Sequence, residues 1–163
     1  MQMRQTQNAD RPIPRDKLLT RTSFGVAFEQ LRNEPVRLLR QARPGGTEPH
    51  LSFTPAFRGE QVQGLGGPYR ALFTDFSKEL VLSGLLIPCP NSQVNIGNNR
   101  DKFVLNPSRS SALDLAMYRF LGQLMGMAMR TGATLTLDLP PFVWKALVGE
   151  QVTAADLRDV DAA

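Results

Sequence analysis

From Leu113 to Met129 almost every side chain is apolar, and this stretch constrains the fold more than any other. Wound at 3.6 residues per turn, its polar members Arg119 and Gln123, with Arg130 just beyond, share one narrow stripe, and Gly126 lies beside it. A helix this apolar is buried on most sides, so other elements must wrap it. The sequence therefore predicts an α+β fold, mainly helical, with short strands around a buried central helix over about residues 111–131. Ser111 and Asp114 have capping-box spacing at its start, and Gly132 suits its C-cap. Its most apolar run, Phe120 to Met129, is far shorter than the about 20 residues a bilayer needs, so no membrane role is expected.

The remaining elements follow from periodicity and punctuation. Phe24, Ala27, Phe28 and Leu31 fall on one face of a helix that Ser23 would cap and Pro35 would end. Residues 40–50 read as a loop. Leu51, Phe53 and Phe57 read as an extended segment in which Pro55 argues for an edge strand or a bulge. The turn-rich stretch 59–67 leads into a second helix with Pro68 at its first position. There Tyr69, Leu72, Phe73, Phe76 and Leu80 form the buried face. Arg70, Thr74, Asp75, Ser77, Lys78 and Glu79 form the polar one. Residues 85–91 (LLIPCPN) read as a strand entering an Asn-rich, uncharged loop over 91–99. Phe103 to Leu105 is a brief strand stopped by Asn106-Pro107. Residues 135–140 read as a short extended piece, and Pro140-Pro141 starts a short helix through Trp144 to Gly149. Thr153 with Asp156 opens one more helical turn.

Charge locates the polar end of the chain. Of 19 Lys+Arg and 15 Asp+Glu, the first 50 residues hold nine basic and five acidic, and the remainder balances. Residues 1–16 are polar, carry two prolines and have no hydrophobic period, so they read as a flexible leader or linker without a signal peptide. A balanced folded part argues against nucleic-acid binding. The basic leader with Arg32, Arg37, Arg40 and Arg43 leaves open a binder of acidic partners, against a merely solvated face.

Candidate chemistry is sparse. Cys89 is the single cysteine, which forbids an intramolecular disulfide and favours a reducing compartment. It lies between two prolines with no basic neighbour to lower its pKa, so it reads as a structural thiol rather than a nucleophile paired with His50. One histidine and one cysteine fall short of a zinc site, and no other metal or cofactor is expected. The GLGG run at 64–67 lacks the rest of a phosphate-binding loop and reads as a helix-entry turn. Gly122 and Gly126 read as a site of close backbone packing. Met117, Met125, Met127 and Met129 read as core filler, and Trp144 as a core anchor.

Five segments in order nevertheless resemble the amino-terminal lobe of a HECT-type ubiquitin-protein ligase. They are GGPYRALFTDFSKEL (66–80), LLIPCPN (85–91), NRDKFVLNPS (99–108), YRFLGQLMGMAMRTG (118–132) and LDLPPFVWKALVGEQVTAADLRDVD (137–161). The likeness spans roughly residues 20–163, and its wording is most similar to the large members that carry chromosome-condensation-regulator-type repeats. It implies a partial amino-terminal lobe over residues 17–163. The conjugating-enzyme-binding subdomain and the catalytic carboxy-terminal lobe would follow beyond it.

The family takes ubiquitin from a conjugating enzyme onto a cysteine and passes it to a substrate lysine. By resemblance the partners are ubiquitin, a conjugating enzyme and protein substrates, and the location is cytoplasmic. Cys89 matches no catalytic position, so this segment alone is expected to be an inactive scaffold. Some members hold a second ubiquitin near the strand that here reads Leu86-Ile87-Pro88. Pro88 stands where they carry an aromatic, so no ubiquitin-binding residue is assigned. The alternatives left open are a free-standing, non-catalytic binding module of the same lobe type and the binder of acidic partners.

Overall fold

In the computed structural model, which describes residues 12–40, 51–56 and 66–162, the chain forms helices joined by one small sheet. The elements are α1 (Arg15–Arg21), α2 (Ser23–Leu31), α3 (Val36–Leu39), α4 (Gly66–Leu82), β1 (Leu86–Pro88) and α5 (Pro90–Val94), followed by β2 (Phe103–Leu105), α6 (Ala112–Thr131), α7 (Pro141–Val148) and α8 (Ala154–Arg158). The α+β class and the central helix are as expected from the sequence.

Helix α6 starts at the expected capping box, with Ser111 and Asp114 satisfying each other's backbone N–H groups, and ends at Gly132 with φ of 70°. It buries Met117, Phe120, Leu121, Leu124, Met127 and Ala128. The far side differs from the expectation of near-complete burial. Leu115 is 58% and Met129 84% exposed, so Met129 is not core filler. A Cβ added at Gly122 or Gly126 meets nothing within 4 Å, so these glycines are not a close-packing seam. Apolar composition reports which side chains tolerate burial, whereas the packing of α2 and α4 decides which of them receive it.

Six aromatic rings tie the helices together. Phe120 of α6 lies 5.6 Å from Phe24 and 5.7 Å from Phe28 of α2. Phe24 meets Phe76 of α4 at 6.4 Å, and Phe76, Phe73 and Tyr69 continue along α4 at 5.4 and 4.9 Å. The five residues assigned to the buried face of α4 are all buried.

The start of α2 is set by tertiary contacts. Its N-cap is Thr22 rather than Ser23, and the Thr22 hydroxyl accepts the Gly25 N–H at 2.8 Å. Glu79, expected on the polar side of α4, instead reaches the same helix end. Its carboxylate accepts the Ser23 and Phe24 N–H groups at 2.9 and 2.7 Å. These are two of the orphan donors every helix start leaves, and a negative charge suits the dipole there.

Helix α1 overlaps the end of the expected leader, at Arg15 and Asp16, and lacks a hydrophobic signature in sequence. Leu18 is fully buried, and Ile13 donates its N–H to Leu82 O at 2.9 Å. The α1–α2 approach requires glycine at position 25, where a Cβ would sit 2.0 Å from Leu18 O.

Strands β1 and β2 pair antiparallel, with Ile87 opposite Val104. The loop expected over 91–99 begins as α5, because Pro90 at the first helical position favours a turn of helix. The strand expected at 51–57 is absent from residues 51–56, which bend instead, while Phe57 lies outside the described residues. Phe53 packs on Tyr69 at 5.1 Å, and the Ser52 hydroxyl donates to Leu39 O at 3.2 Å. The second helix starts at Gly66, two residues before Pro68. Residues 1–11, 41–50 and 57–65, which include most of the expected leader, of the loop expected over 40–50 and of the turn expected over 59–67, also lie outside the described residues.

Two expectations follow for stability. Among the described residues the buried Tyr69 hydroxyl has no hydrogen-bond partner. Tyr69→Phe should therefore be neutral or stabilising by up to about 1 kcal/mol in urea unfolding, whereas Tyr69→Ala should cost about 3–5 kcal/mol. A clear loss in Tyr69→Phe would show that the hydroxyl is satisfied. For Glu79, burial outweighs its two backbone hydrogen bonds and raises the carboxyl above its ordinary 4.5. The stability linked to that proton is complete below 4.5 and is lost as pH rises through the raised value. The wild type should thus lose stability relative to Glu79→Gln as pH climbs above 4.5, and a pH-independent difference between them would remove Glu79 as the source.

Candidate functional site

The single thiol lies where β1 hands over to α5. Cys89 is fully buried, its N–H donates to Lys102 O at 2.9 Å, and its carbonyl accepts the Ser92 N–H at 2.9 Å. Burial, with the Asp101 carboxylate nearby, pushes the thiol up from its ordinary 9.0. An activated cysteine needs the reverse, an electropositive and accessible setting. Cys89 is instead enclosed beside a carboxylate, while His50 lies outside the described residues.

The other candidates divide in the same way. Among the described residues no group of three or more His, Cys, Asp or Glu is placed to hold a metal. Gly66 and Gly67 are the first residues of α4 rather than a loop around an anion. Arg32 lies 3.4 Å from Glu29 and over the Phe28 ring at 5.0 Å, while Arg43 of the expected basic cluster lies outside the described residues. Trp144 is 42% exposed on α7, not a core anchor, and its indole N–H donates to Leu139 O at 3.1 Å. Neither α7 nor α8 buries a residue. Leu147 at 57% and Val148 at 72% exposure extend the apolar face that Trp144 begins, and Leu157 on α8 is 53% exposed.

The best-built polar constellation is one the sequence reading passed over as an uncharged loop. Asn91 is fully buried. Its amide donates to Asn98 O and Asp159 O at 2.9 and 3.1 Å, and its Oδ1 accepts the Ala162 N–H at 2.7 Å. Its own N–H donates to Val160 O at 3.0 Å. Asn98 and Asn99 add bonds to the Asp159 carboxylate and carbonyl. Asn95 and Asn99 both take φ of 54°, which asparagine tolerates better than most residues. That density of Asn was the visible signal. The partners, some 60 to 71 residues away, were not legible from it.

Two clefts open on the surface of the described residues. One, of about 270 Å³, lies between α3 and α6 over Gly122 and Gly126, with Arg40, Arg119 and Arg130 around it. The other, of about 290 Å³, lies between α4, the sheet and residues 136–138. There the Thr136 N–H donates to Ser77 Oγ at 2.9 Å and the Phe103 N–H to Asp138 O at 2.7 Å. Among the described residues no helix is long and apolar enough to cross a membrane.

Comparison with known proteins agrees with this arrangement. The profile of the HECT-domain (ubiquitin-transferase) family matches residues 70–163, from α4 through α8. The chain is 43% identical over 115 residues to the E3 ubiquitin-protein ligase HERC2 of Mus musculus and 42% identical over 115 residues to that of Homo sapiens. Each alignment covers 69% of this chain and 2% of the relative. It is 38% identical over 141 residues to the probable E3 ubiquitin-protein ligase HECTD4 of Homo sapiens, covering 85% of this chain and 4% of that protein. A profile match over more than half of the chain, together with relatives of this identity, places the chain in the HECT-domain family.

Proposed function

We propose that the chain is part of the amino-terminal lobe of a HECT ubiquitin-protein ligase, over residues 17–163, and serves there as scaffold rather than as catalyst. The observation that carries this reading is the sealed thiol: the one cysteine within a HECT-family segment is buried and raised in pKa. In the family's reaction a thiolate attacks the thioester carbonyl of a charged conjugating enzyme and expels that enzyme's thiol. A substrate lysine amine then attacks the new thioester, forms an amide and releases the ligase thiol. Both steps need an accessible thiolate that Cys89 does not supply, so the acceptor belongs to another part of the ligase.

The lobe's contribution is then positional. The apolar face of Trp144, Leu147, Val148 and Leu157 is the surface on which the conjugating-enzyme-binding part of the ligase would rest. Residues 1–16 would join the lobe to what precedes it, and the setting would be cytoplasmic. Pro88 is exposed on β1 and offers no aromatic to a second ubiquitin, so no ubiquitin-binding residue is proposed.

Two measurements test this. Incubated with a ubiquitin-charged conjugating enzyme and resolved without reductant, the chain should form no thiol-sensitive ubiquitin adduct. An adduct that disappears in Cys89→Ser would overturn the scaffold reading. Native Cys89 should also react with iodoacetamide at least about 100-fold more slowly than the urea-unfolded chain. Equal rates would show that the thiol is open.

A further inference from the structure

The α7–α8 hairpin is attached to the rest of the lobe at two separated points. At its base, Leu139 and Pro140 are buried and Val143 leans on the core. At its far end, α8 itself buries nothing, and the residues just after it are held by the amide cluster. Between these points the hairpin is tied to itself. Lys145 reaches Asp156 at 2.7 Å, and Thr153 with Asp156 forms a capping box at the start of α8. The lysine and the capping bonds hold the Asp156 carboxyl down at about 2, so this tie persists across ordinary pH. The hairpin is thus a unit closed on itself, with its apolar face outward.

We infer that α7–α8 is a latched arm, pivoting at residues 139–141 and held down by Asn91, Asn98 and Asn99 through their bonds to Asp159, Val160 and Ala162. The latch has the composition of a reversible contact. Apart from Val160, which is buried, and an exposed bond from the Asn98 amide to the Asp159 carboxylate, the described contacts of this segment with the asparagines are neutral amide hydrogen bonds. Each such bond contributes modestly, because water competes for the same groups once the segment lifts. Local opening of such a unit requires far less free energy than global unfolding. Asn91 is the anchor, since it alone of the three is fully buried and bonds to three separate residues of the segment. Asn91, Asn98 and Asn99 are therefore positioning residues that fix where the face of Trp144, Leu147 and Leu157 points. This goes beyond the transferase reading and does not need ubiquitin to be tested.

Trp144 is the chain's only tryptophan, so its fluorescence reports on the arm alone. In the full chain, Asn98→Ala combined with Asn99→Gly removes two amides while keeping position 99 free to adopt its left-handed φ. Amide exchange over residues 154–162 should accelerate at least about tenfold, and acrylamide quenching of Trp144 should rise, with exchange in α4 and α6 unchanged. Asn91→Ala should do the same more strongly. If Asn91→Ala does not fold, Ala162→Pro removes the N–H that Asn91 accepts and leaves the asparagine in place. Unchanged exchange in the hairpin would overturn the latch. Exchange that accelerates equally in α4 and α6 would overturn it too, by showing that the cluster belongs to the global fold.

Discussion

Phe120 touching Phe24 and Phe28 is the contact on which the rest of the structure depends. It joins the longest helix to α2, and through Phe24 and Phe76 to α4, so three helices share one run of rings. Full burial of each ring contributes about 1.5–3 kcal/mol, and edge-on contacts add about 0.5–1.5 kcal/mol. Those contacts need α1 and α2 close together, and Gly25 permits it by leaving room for the Leu18 carbonyl. They also need α2 to start in one place, which Thr22 and Glu79 arrange from opposite sides.

Polar groups inside the lobe decide how the apolar pieces register. Asp114 caps α6 and lies 3.4 Å from Arg109, whose guanidinium also donates to Ser83 O at 2.7 Å. One carboxylate thereby links the start of α6 to the end of α4. The Tyr118 hydroxyl sits 2.8 Å from Leu85 O and 3.1 Å from Asn106 O, between the strand ends. Apolar surfaces slide with little change in energy, whereas a buried polar group left unpaired costs about 1–3 kcal/mol. The cost of misplacing these groups selects one arrangement.

A lobe built this way acts through shape. Among the described residues its one thiol is closed in, Glu79 is spent on a helix end, and the open features include two clefts and an apolar hairpin face. These features fit the scaffold role proposed above. That role fits a family in which catalysis depends on bringing one thioester to another thiol, because placement contributes much of the rate in such transfers.

Periodicity alone determined α4 and α6, because a 3.6-residue repeat reports directly which residues seek burial, and short apolar runs stopped by prolines marked the two strands but not their pairing. Local chemistry determined the caps at Ser111, Gly132 and Thr153, since a cap involves residues only a few positions apart. Family membership was legible for a related reason: five short segments kept in order carry more information than any one motif. Tertiary structure decided what depended on distant partners. Helix α1 forms where its packing against α2 rewards a weak sequence signal. Glu79 leaves the polar face it was counted on because an α2 terminus lies within reach. Trp144 and Met129 stay exposed because no described element covers them. Asn91 becomes an anchor only when a segment some 70 residues further on returns to it. A sequence states what each residue tolerates, and the partner that uses that tolerance is chosen by the fold.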